Sequence, residues 1–233
     1  MKLIVILLCV LFLAGCTDQL RVEPENSLTF GNITKEKDVE ALVYGVGAGV
    51  RDMVCWNALL QVEKGAYADE ADESRRGARM LELEAGTADL WEAWYQVIMG
   101  AETVLSHVDV VEMPNERRQF YRGQAYFFKV LAYFDLIRRW GDCILQKGGI
   151  NWEPVAKTPW PKVCDFAIEM AEKAAEILPP FDKLTDCNGN TMFSKSTPCQ
   201  GAAYALLAHL CAWKAGGKYF AAEVDRNYDE KEL

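Results

Sequence analysis

The stretch from Arg117 to Leu145 constrains the fold most, because it predicts a long aromatic helix that cannot stand alone in water. Its apolar side chains recur mostly three or four residues apart and so share one helix face: Phe120, Phe127, Leu131, Phe134 and Ile137. The residues that mark a polar side are Gln124, Lys129, Arg138 and Arg139. Since packing supplies most helix stability, this helix requires partners. Gly141 suits a left-handed residue that ends it.

Composition indicates a folded, acidic protein. The chain has 233 residues, of which 51% are hydrophobic and 11% aromatic, enough for a sizeable core. Its formal net charge is -9. Binding to nucleic-acid phosphates needs clustered positive charge, so this balance argues against nucleic acid as a partner.

The N-terminus predicts an exported lipoprotein. The apolar run from Leu3 to Leu13 is too short for a membrane span, which needs about 20 residues, and suits the core of a signal peptide. It leads into Leu13-Ala14-Gly15-Cys16, which resembles a bacterial lipobox. We therefore expect residues 1–15 to be the signal peptide, Cys16 to carry the lipid and residues 16–34 to form a linker. The alternative is an ordinary signal peptide with an incidental cysteine.

Residues 35–233 predict an all-α domain of helical hairpins with long loops. Apolar periodicity, caps and prolines place helix starts near Lys35, Thr87, Asn115, Thr158-Pro159 and Thr197-Pro198. Asn32 or Thr34 is the expected cap of the first helix, whose glycines, Gly47 among them, let two helices approach closely. A strict 34-residue repeat is absent, so the alternatives are a plain bundle and a diverged superhelix.

The most polar stretch, residues 65–86, predicts a surface loop. It contains Tyr67, Asp69 and Asp72, whose spacing invites a calcium interpretation. The twelve-residue calcium loop needs glycine at its sixth position, and counting from Asp69 that position is Ser74. A solvated loop and a recognition loop remain the alternatives, and no metal site is predicted.

The cysteines do not suggest a metal site either. None are spaced as C-x-x-C, so structural zinc is not expected. Cys187 and Cys199 flank one polar loop, and export permits disulfides, which makes them the candidate pair. The alternatives are small core residues or free thiols. His107 and His209 lie in predicted helices, and no motif marks a catalytic pair.

The long helix also carries a family resemblance. Gly123-Gln124-Ala125, the run Tyr133 to Arg138 and Gly141-Asp142 resemble the signature helix of the SusD/RagB family of outer-membrane nutrient-binding lipoproteins. Gln124 stands where Glu is commoner in that family, and Cys143-Ile144 replaces Val-Pro. Weaker similarities follow in family order at three further segments: 91–101, 167–178 and 189–216.

The resemblance implies the N-terminal half of a non-catalytic binding protein without a cofactor. Its fold would be tetratricopeptide-like, with helical hairpins forming a superhelical scaffold. It would be lipid-anchored at the outer membrane, facing the cell exterior. There it would capture a glycan or another nutrient and deliver it to a partner, a SusC-type TonB-dependent transporter.

Sugar capture needs flat apolar faces edged by hydrogen-bonding groups. Loop residues of these types are the candidate ligand contacts, with ordinary packing as the alternative: Tyr67, Asp69, Asp72, Trp152 and Trp160. Two other functions stay open at this point. One is a surface glycoside hydrolase with paired carboxylates. The other is a helical-repeat interaction scaffold without ligand binding.

Overall fold

The computed structural model describes residues 31–56, 88–148 and 153–216. Five α-helices follow one another there: α1 Glu36–Trp56, α2 Ala88–His107, α3 Asn115–Trp140, α4 Trp160–Ile177 and α5 Gln200–Gly216. They belong to one unit of the chain that starts at Ile33. Within the described ranges the only β-type pairings are two isolated bridges, Cys143–Thr158 and Thr185–Thr191. The predicted all-α class is confirmed. No helix in these ranges has both the length and the apolar character to cross a membrane.

The aromatic helix α3 lies at the centre and packs against each of the other four helices. Each helix also packs on the next one along the chain, as expected for successive helical hairpins. Edge-to-face aromatic contacts join α3 to two of its neighbours. The ring centroids of Tyr133 and of Phe166 in α4 lie 5.9 Å apart, and those of Phe134 and of Trp213 in α5 lie 6.4 Å apart. From α2, the indole N–H of Trp94 donates to Asp135 at 2.8 Å. The predicted requirement for packing partners is met on every side.

The predicted apolar face of α3 is confirmed, but its predicted polar side is wrong in part. Among the apolar set, Phe120, Phe134 and Ile137 are buried, and Phe127 and Leu131 are half-buried against the core. Gln124 and Lys129 are each only 3% exposed. Because α3 is enclosed by four helices, little of its circumference is left for solvent. Arg138 is exposed as predicted, and Arg139 forms an ion pair with Asp135 at 2.5 Å.

Several helix ends follow the sequence signals with small shifts. At the start of α1, the carboxylate of Asp38 accepts the backbone N–H groups of Thr34 and Lys35 at 3.1 and 2.9 Å. Gly141 has φ +68° and donates to Ile137 O, so it ends α3 as predicted. Asp142 then accepts the N–H of Trp160 at 2.8 Å, which sets the start of α4. The predicted cap Thr87 lies outside the described residues.

Candidate functional site

A groove of about 400 Å³ lies between α1, α3 and the loop before α5. We call it the α1–α3 groove. Helix α1 contributes residues along one face, among them Tyr44, Gly47 and Arg51. Helix α3 contributes Gln124 and Phe128. The loop supplies the opposite wall, which consists of Met192, Ser194, Ser196, Thr197 and Pro198.

The groove has an aromatic side. A Cβ added at Gly47 would lie 3.3 Å from Cζ of Phe128, so the glycine allows α1 to approach the Phe128 ring closely. Tyr44 stands one turn earlier on α1 and is 46% exposed, which leaves part of its ring open to solvent. Burial raises the pKa of Tyr44, and the neighbouring Glu40 and Asp186 raise it further. Its hydroxyl is therefore neutral and able to donate at physiological pH.

The remaining lining groups are polar. The Ser194 and Ser196 hydroxyls lie 2.6 Å apart on the loop wall. Arg51 is an exposed cation that contacts its neighbour Asp52, with Nη2–Oδ1 at 2.9 Å. Gln124 presents an amide and Thr197 a hydroxyl. Flat apolar surface beside hydroxyl, amide and guanidinium groups is the combination that binds a sugar ring.

A partly buried polar cluster anchors the loop ahead of the residues that form the groove wall. Oε1 of Glu40 accepts hydrogen bonds from the backbone N–H of Cys187 at 2.8 Å and from Nη2 of Arg117 at 3.3 Å. Nη1 of Arg117 donates to the carbonyl of Thr185 at 2.8 Å, and its Nε donates to Glu36 at 2.7 Å. We call this set the Glu40–Arg117 cluster. It joins α1, α3 and the loop, and each carboxylate in it has a positively charged partner.

The base of the loop is a tight turn. Asp186 accepts the backbone N–H groups of Asn188 and Asn190 at 2.9 and 2.8 Å, and these bonds hold its pKa below the ordinary value, with Asn190 the largest cause. Gly189 has φ +81°, a left-handed conformation that favours glycine. Thr185 and Thr191 form a bridge across the turn. The loop wall thus starts from a hydrogen-bonded base.

The cysteine pair predicted from the sequence is not joined in this structure. Cys187 and Cys199 are both half-buried free thiols. A hydrogen bond to Glu40 raises the pKa of Cys187 to about 11, so that thiol is protonated and held against α1. Cys199 belongs to the start of α5 instead, where its carbonyl accepts the N–H of Ala203 at 3.0 Å. The two cysteines are therefore anchored to different helices.

Most site residues predicted from the sequence lie outside the described residues: the lipidation site Cys16 and the ligand contacts Tyr67, Asp69, Asp72 and Trp152. Trp160 is described; it is half-buried against the core and is not part of the groove lining. The groove residue Tyr44 gave no signal in the sequence, because a tyrosine on a helix face predicts packing. Gly47 did give one, since glycine in the first helix predicted close helix approach. Among the described residues, no three His, Cys, Asp or Glu side chains are placed to hold a metal ion.

Known proteins are similar to this chain in sequence and in fold. A SusD-like family profile described as "Starch-binding associating with outer membrane" matches residues 60–211. SusD-like protein P2 of Formosa agariphila is 24% identical over 220 residues, which cover 88% of this chain and 41% of that protein.

Solved structures agree with this match. A SusD-like carbohydrate binding protein from Bacteroides vulgatus superposes with a TM-score of 0.59 at 17% identity, covering 78% of this chain and 42% of its own. A SusD homolog from Bacteroides thetaiotaomicron superposes with a TM-score of 0.56 at 17% identity. The superposition covers 80% of this chain and 43% of that protein. The superpositions show a shared fold, and this chain spans less than half the length of each relative. Since the family profile matches most of the sequence, the chain belongs to the SusD-like family.

Proposed function

We propose that this protein is a glycan-binding lipoprotein of the outer membrane, that it captures an oligosaccharide in the α1–α3 groove, and that it delivers the ligand to a SusC-type TonB-dependent transporter. The observation that carries this proposal is the groove itself. It sets the Tyr44 ring and the Phe128 side chain beside hydroxyl, amide and guanidinium groups, in a chain of the SusD-like family.

The composition of the groove favours binding over hydrolysis. Most glycoside hydrolases use two carboxylic acids across the scissile bond, about 5 to 9.5 Å apart. None of the described residues that line the groove is Asp or Glu. Three carboxylates close to the groove already have partners: Glu40 is bonded by Arg117, Asp186 by the turn at Asn190, and Asp52 by Arg51. Among the described residues, this groove therefore offers the glycosidase alternative no acid–base pair.

The membrane anchor and the transporter rest on the sequence and on the family. Cys16 in its lipobox is the proposed lipidation site, and the family profile is described as associating with the outer membrane. The Bacteroides vulgatus relative is described as a carbohydrate binding protein, which supports a glycan as the ligand class. The loop residues Tyr67, Asp69, Asp72 and Trp152 remain proposed ligand contacts beyond the groove.

The test of the groove uses two matched tyrosines. Tyr44 is 46% exposed in the groove, whereas Tyr204 is 54% exposed on α5 and is not part of the groove lining. The purified protein is titrated calorimetrically with neutral oligosaccharides of glucose, galactose, mannose and xylose. Tyr44→Ala is expected to weaken the best binder by about tenfold, and Tyr204→Ala to leave it unchanged.

Three results would count against parts of the proposal. If no oligosaccharide on the panel binds, glycan capture by this chain is wrong. If shortened products accumulate during incubation, the protein is a hydrolase. For the partner, the lipidated protein is purified from outer membranes, and mass spectrometry should find a TonB-dependent transporter with it; a preparation without one contradicts delivery to such a transporter.

A further inference from the structure

Gln124 differs from the buried charged side chains among the described residues. It is only 3% exposed, and no other described residue hydrogen-bonds its side-chain amide. Glu40 is bonded by Arg117 and Cys187, Asp135 by Trp94, and Lys129 pairs with Glu102. Among the described residues, the buried charges thus have internal partners, whereas the Gln124 amide and the Thr197 hydroxyl have none, and both line the groove.

The amide faces the α1–α3 groove. Gln124 is among the groove-lining residues, between the Phe128 ring and the loop wall. Among the described side chains, no nitrogen or oxygen that is sealed from solvent lacks a partner. The unbonded amide of Gln124 is therefore not sealed, and because the residue is otherwise enclosed, the groove gives access to it. A partner for this amide has to enter through the groove.

Physical chemistry then defines the kind of partner. Water can reach this amide in the free protein, so a ligand that closes the groove over it has to replace that water with a partner of its own. A side-chain amide offers a carbonyl acceptor and an NH₂ donor. Its complement is a group that both donates and accepts, and a sugar hydroxyl does so. Phe128 lies four residues later on the same helix, so an apolar side chain flanks the amide.

We propose that Gln124 is the specificity-determining residue of the groove and that it hydrogen-bonds a hydroxyl group of the bound sugar at the groove floor. This inference rests on the proposed glycan-binding function and adds to it the chemical group that the floor recognises. A ligand without a hydroxyl at that point leaves the amide buried and unpaired, which is the strongest form of discrimination a polar pocket has. Gln124 thus selects among sugars that Tyr44 and Phe128 accept alike.

The test compares Gln124→Met with Gln119→Met. Both replace a glutamine of α3 by a side chain of similar size, but Gln119 lies outside the groove lining and contacts Arg122 at 3.2 Å. The probe is the neutral oligosaccharide that binds the wild type most tightly on the panel above. Gln124→Met is expected to bind it about tenfold more weakly or worse, and Gln119→Met to bind it as the wild type does.

A stability measurement separates a ligand contact from a structural role. Since Gln124→Met removes no hydrogen bond to another described residue, its melting temperature is expected to equal or exceed that of the wild type. A lower melting temperature together with weaker binding would overturn the inference, because the amide would then support the fold. Gln124→Glu keeps the shape but removes the donor, and we expect it also to bind the probe more weakly.

A double-mutant cycle identifies the hydroxyl. Monodeoxy derivatives of the probe are titrated against the wild type and Gln124→Met. One derivative should bind the wild type more weakly than the parent sugar but bind Gln124→Met as the parent does. Wild-type affinity of Gln124→Met for the parent sugar, while Tyr44→Ala still weakens binding, would overturn this inference and leave the groove as the site. Absence of any wild-type binding would instead contradict the proposed function.

Discussion

The carboxylate of Glu40 accepts the backbone N–H of Cys187 at 2.8 Å, joining α1 to a loop 147 residues further along the chain. Arg117 of α3 reaches the same carboxylate and also donates to the carbonyl of Thr185. The loop continues from these contacts into the groove wall at Ser194 and Thr197. The Glu40–Arg117 cluster therefore anchors the start of the loop that continues into the groove wall.

Removing this anchor should affect both stability and binding. Glu40→Ala takes away the acceptor of the Cys187 N–H and leaves Arg117 with one carboxylate fewer. We expect the free energy of unfolding in urea to fall by about 3 kcal/mol. We also expect affinity for the glycan probe to fall, because the loop wall loses its position. Glu40→Gln keeps an acceptor and should lie between Glu40→Ala and the wild type in both measurements.

The control for that experiment is Glu102→Ala. It also removes one partner of a buried ion pair, but Glu102 pairs with Lys129 between α2 and α3 and does not contact the loop. It should lower stability by a similar amount while the folded protein keeps its affinity. Equal losses of affinity in Glu40→Ala and Glu102→Ala would mean that general destabilisation, and not the loop anchor, weakens binding.

Two glycines should respond to alanine in opposite directions. A Cβ on Gly123 of α3 would lie 2.8 Å from Cγ and 2.9 Å from Cδ2 of Leu178, so Gly123→Ala forces α3 and the end of α4 apart. We expect a loss of about 1–3 kcal/mol in the free energy of unfolding. A Cβ on Gly49 of α1 meets nothing within 4 Å, so Gly49→Ala should gain roughly 0.5–1 kcal/mol from helix propensity. Thermal unfolding of both variants checks the pair, and a stabilised Gly123→Ala would contradict the close packing.

Local signals in the sequence predicted much of this fold. The period of the aromatic stretch predicted α3, and Gly141 predicted its end, because both depend on neighbouring residues. The environment of Lys129 could not be predicted in this way. Its partner Glu102 lies 27 residues earlier, and the ring of Phe166, 5.0 Å from its Nζ, lies on another helix. A periodic pattern shows which residues share a face, but not how many helices enclose it.

The site was harder to predict than the fold for a related reason. Sequence reasoning looked for loop aromatics such as Trp160, because exposed rings in loops are typical of sugar platforms. The groove combines Tyr44 and Gln124, which lie on two different helices. Taken alone, the tyrosine predicts packing and the glutamine predicts a polar helix face. Their common role depends on the approach of α1 to α3 at Gly47, a tertiary contact. The clue available in the sequence was that the aromatic helix α3, which other helices enclose, also carries polar residues such as Gln124.

The buried pair of Lys129 and Glu102 gives a third prediction. Their side chains are 4% and 7% exposed, so removing one partner leaves a buried charge without compensation. Lys129→Met should lower the free energy of unfolding in urea by about 3–5 kcal/mol. The double variant Lys129→Met/Glu102→Leu should recover most of that loss, since an apolar pair of similar volume needs no desolvation. A single variant costing less than about 1 kcal/mol would show that water reaches the pair.

The buried thiols predict a loss of stability at alkaline pH. Burial raises the pKa of Cys143 and of Cys164 from 9.0 to about 12. Between those values the unfolded thiols ionise while the folded ones keep their protons, so the free energy of unfolding falls as pH rises. Each thiol contributes a slope of up to about 1.4 kcal/mol per pH unit. Urea midpoints from pH 8 to 11 should therefore decline less steeply in Cys164→Ala than in the wild type. Cys211 is exposed, so Cys211→Ala should decline as the wild type does, and equal slopes in all three proteins would contradict the burial of Cys164 as the cause.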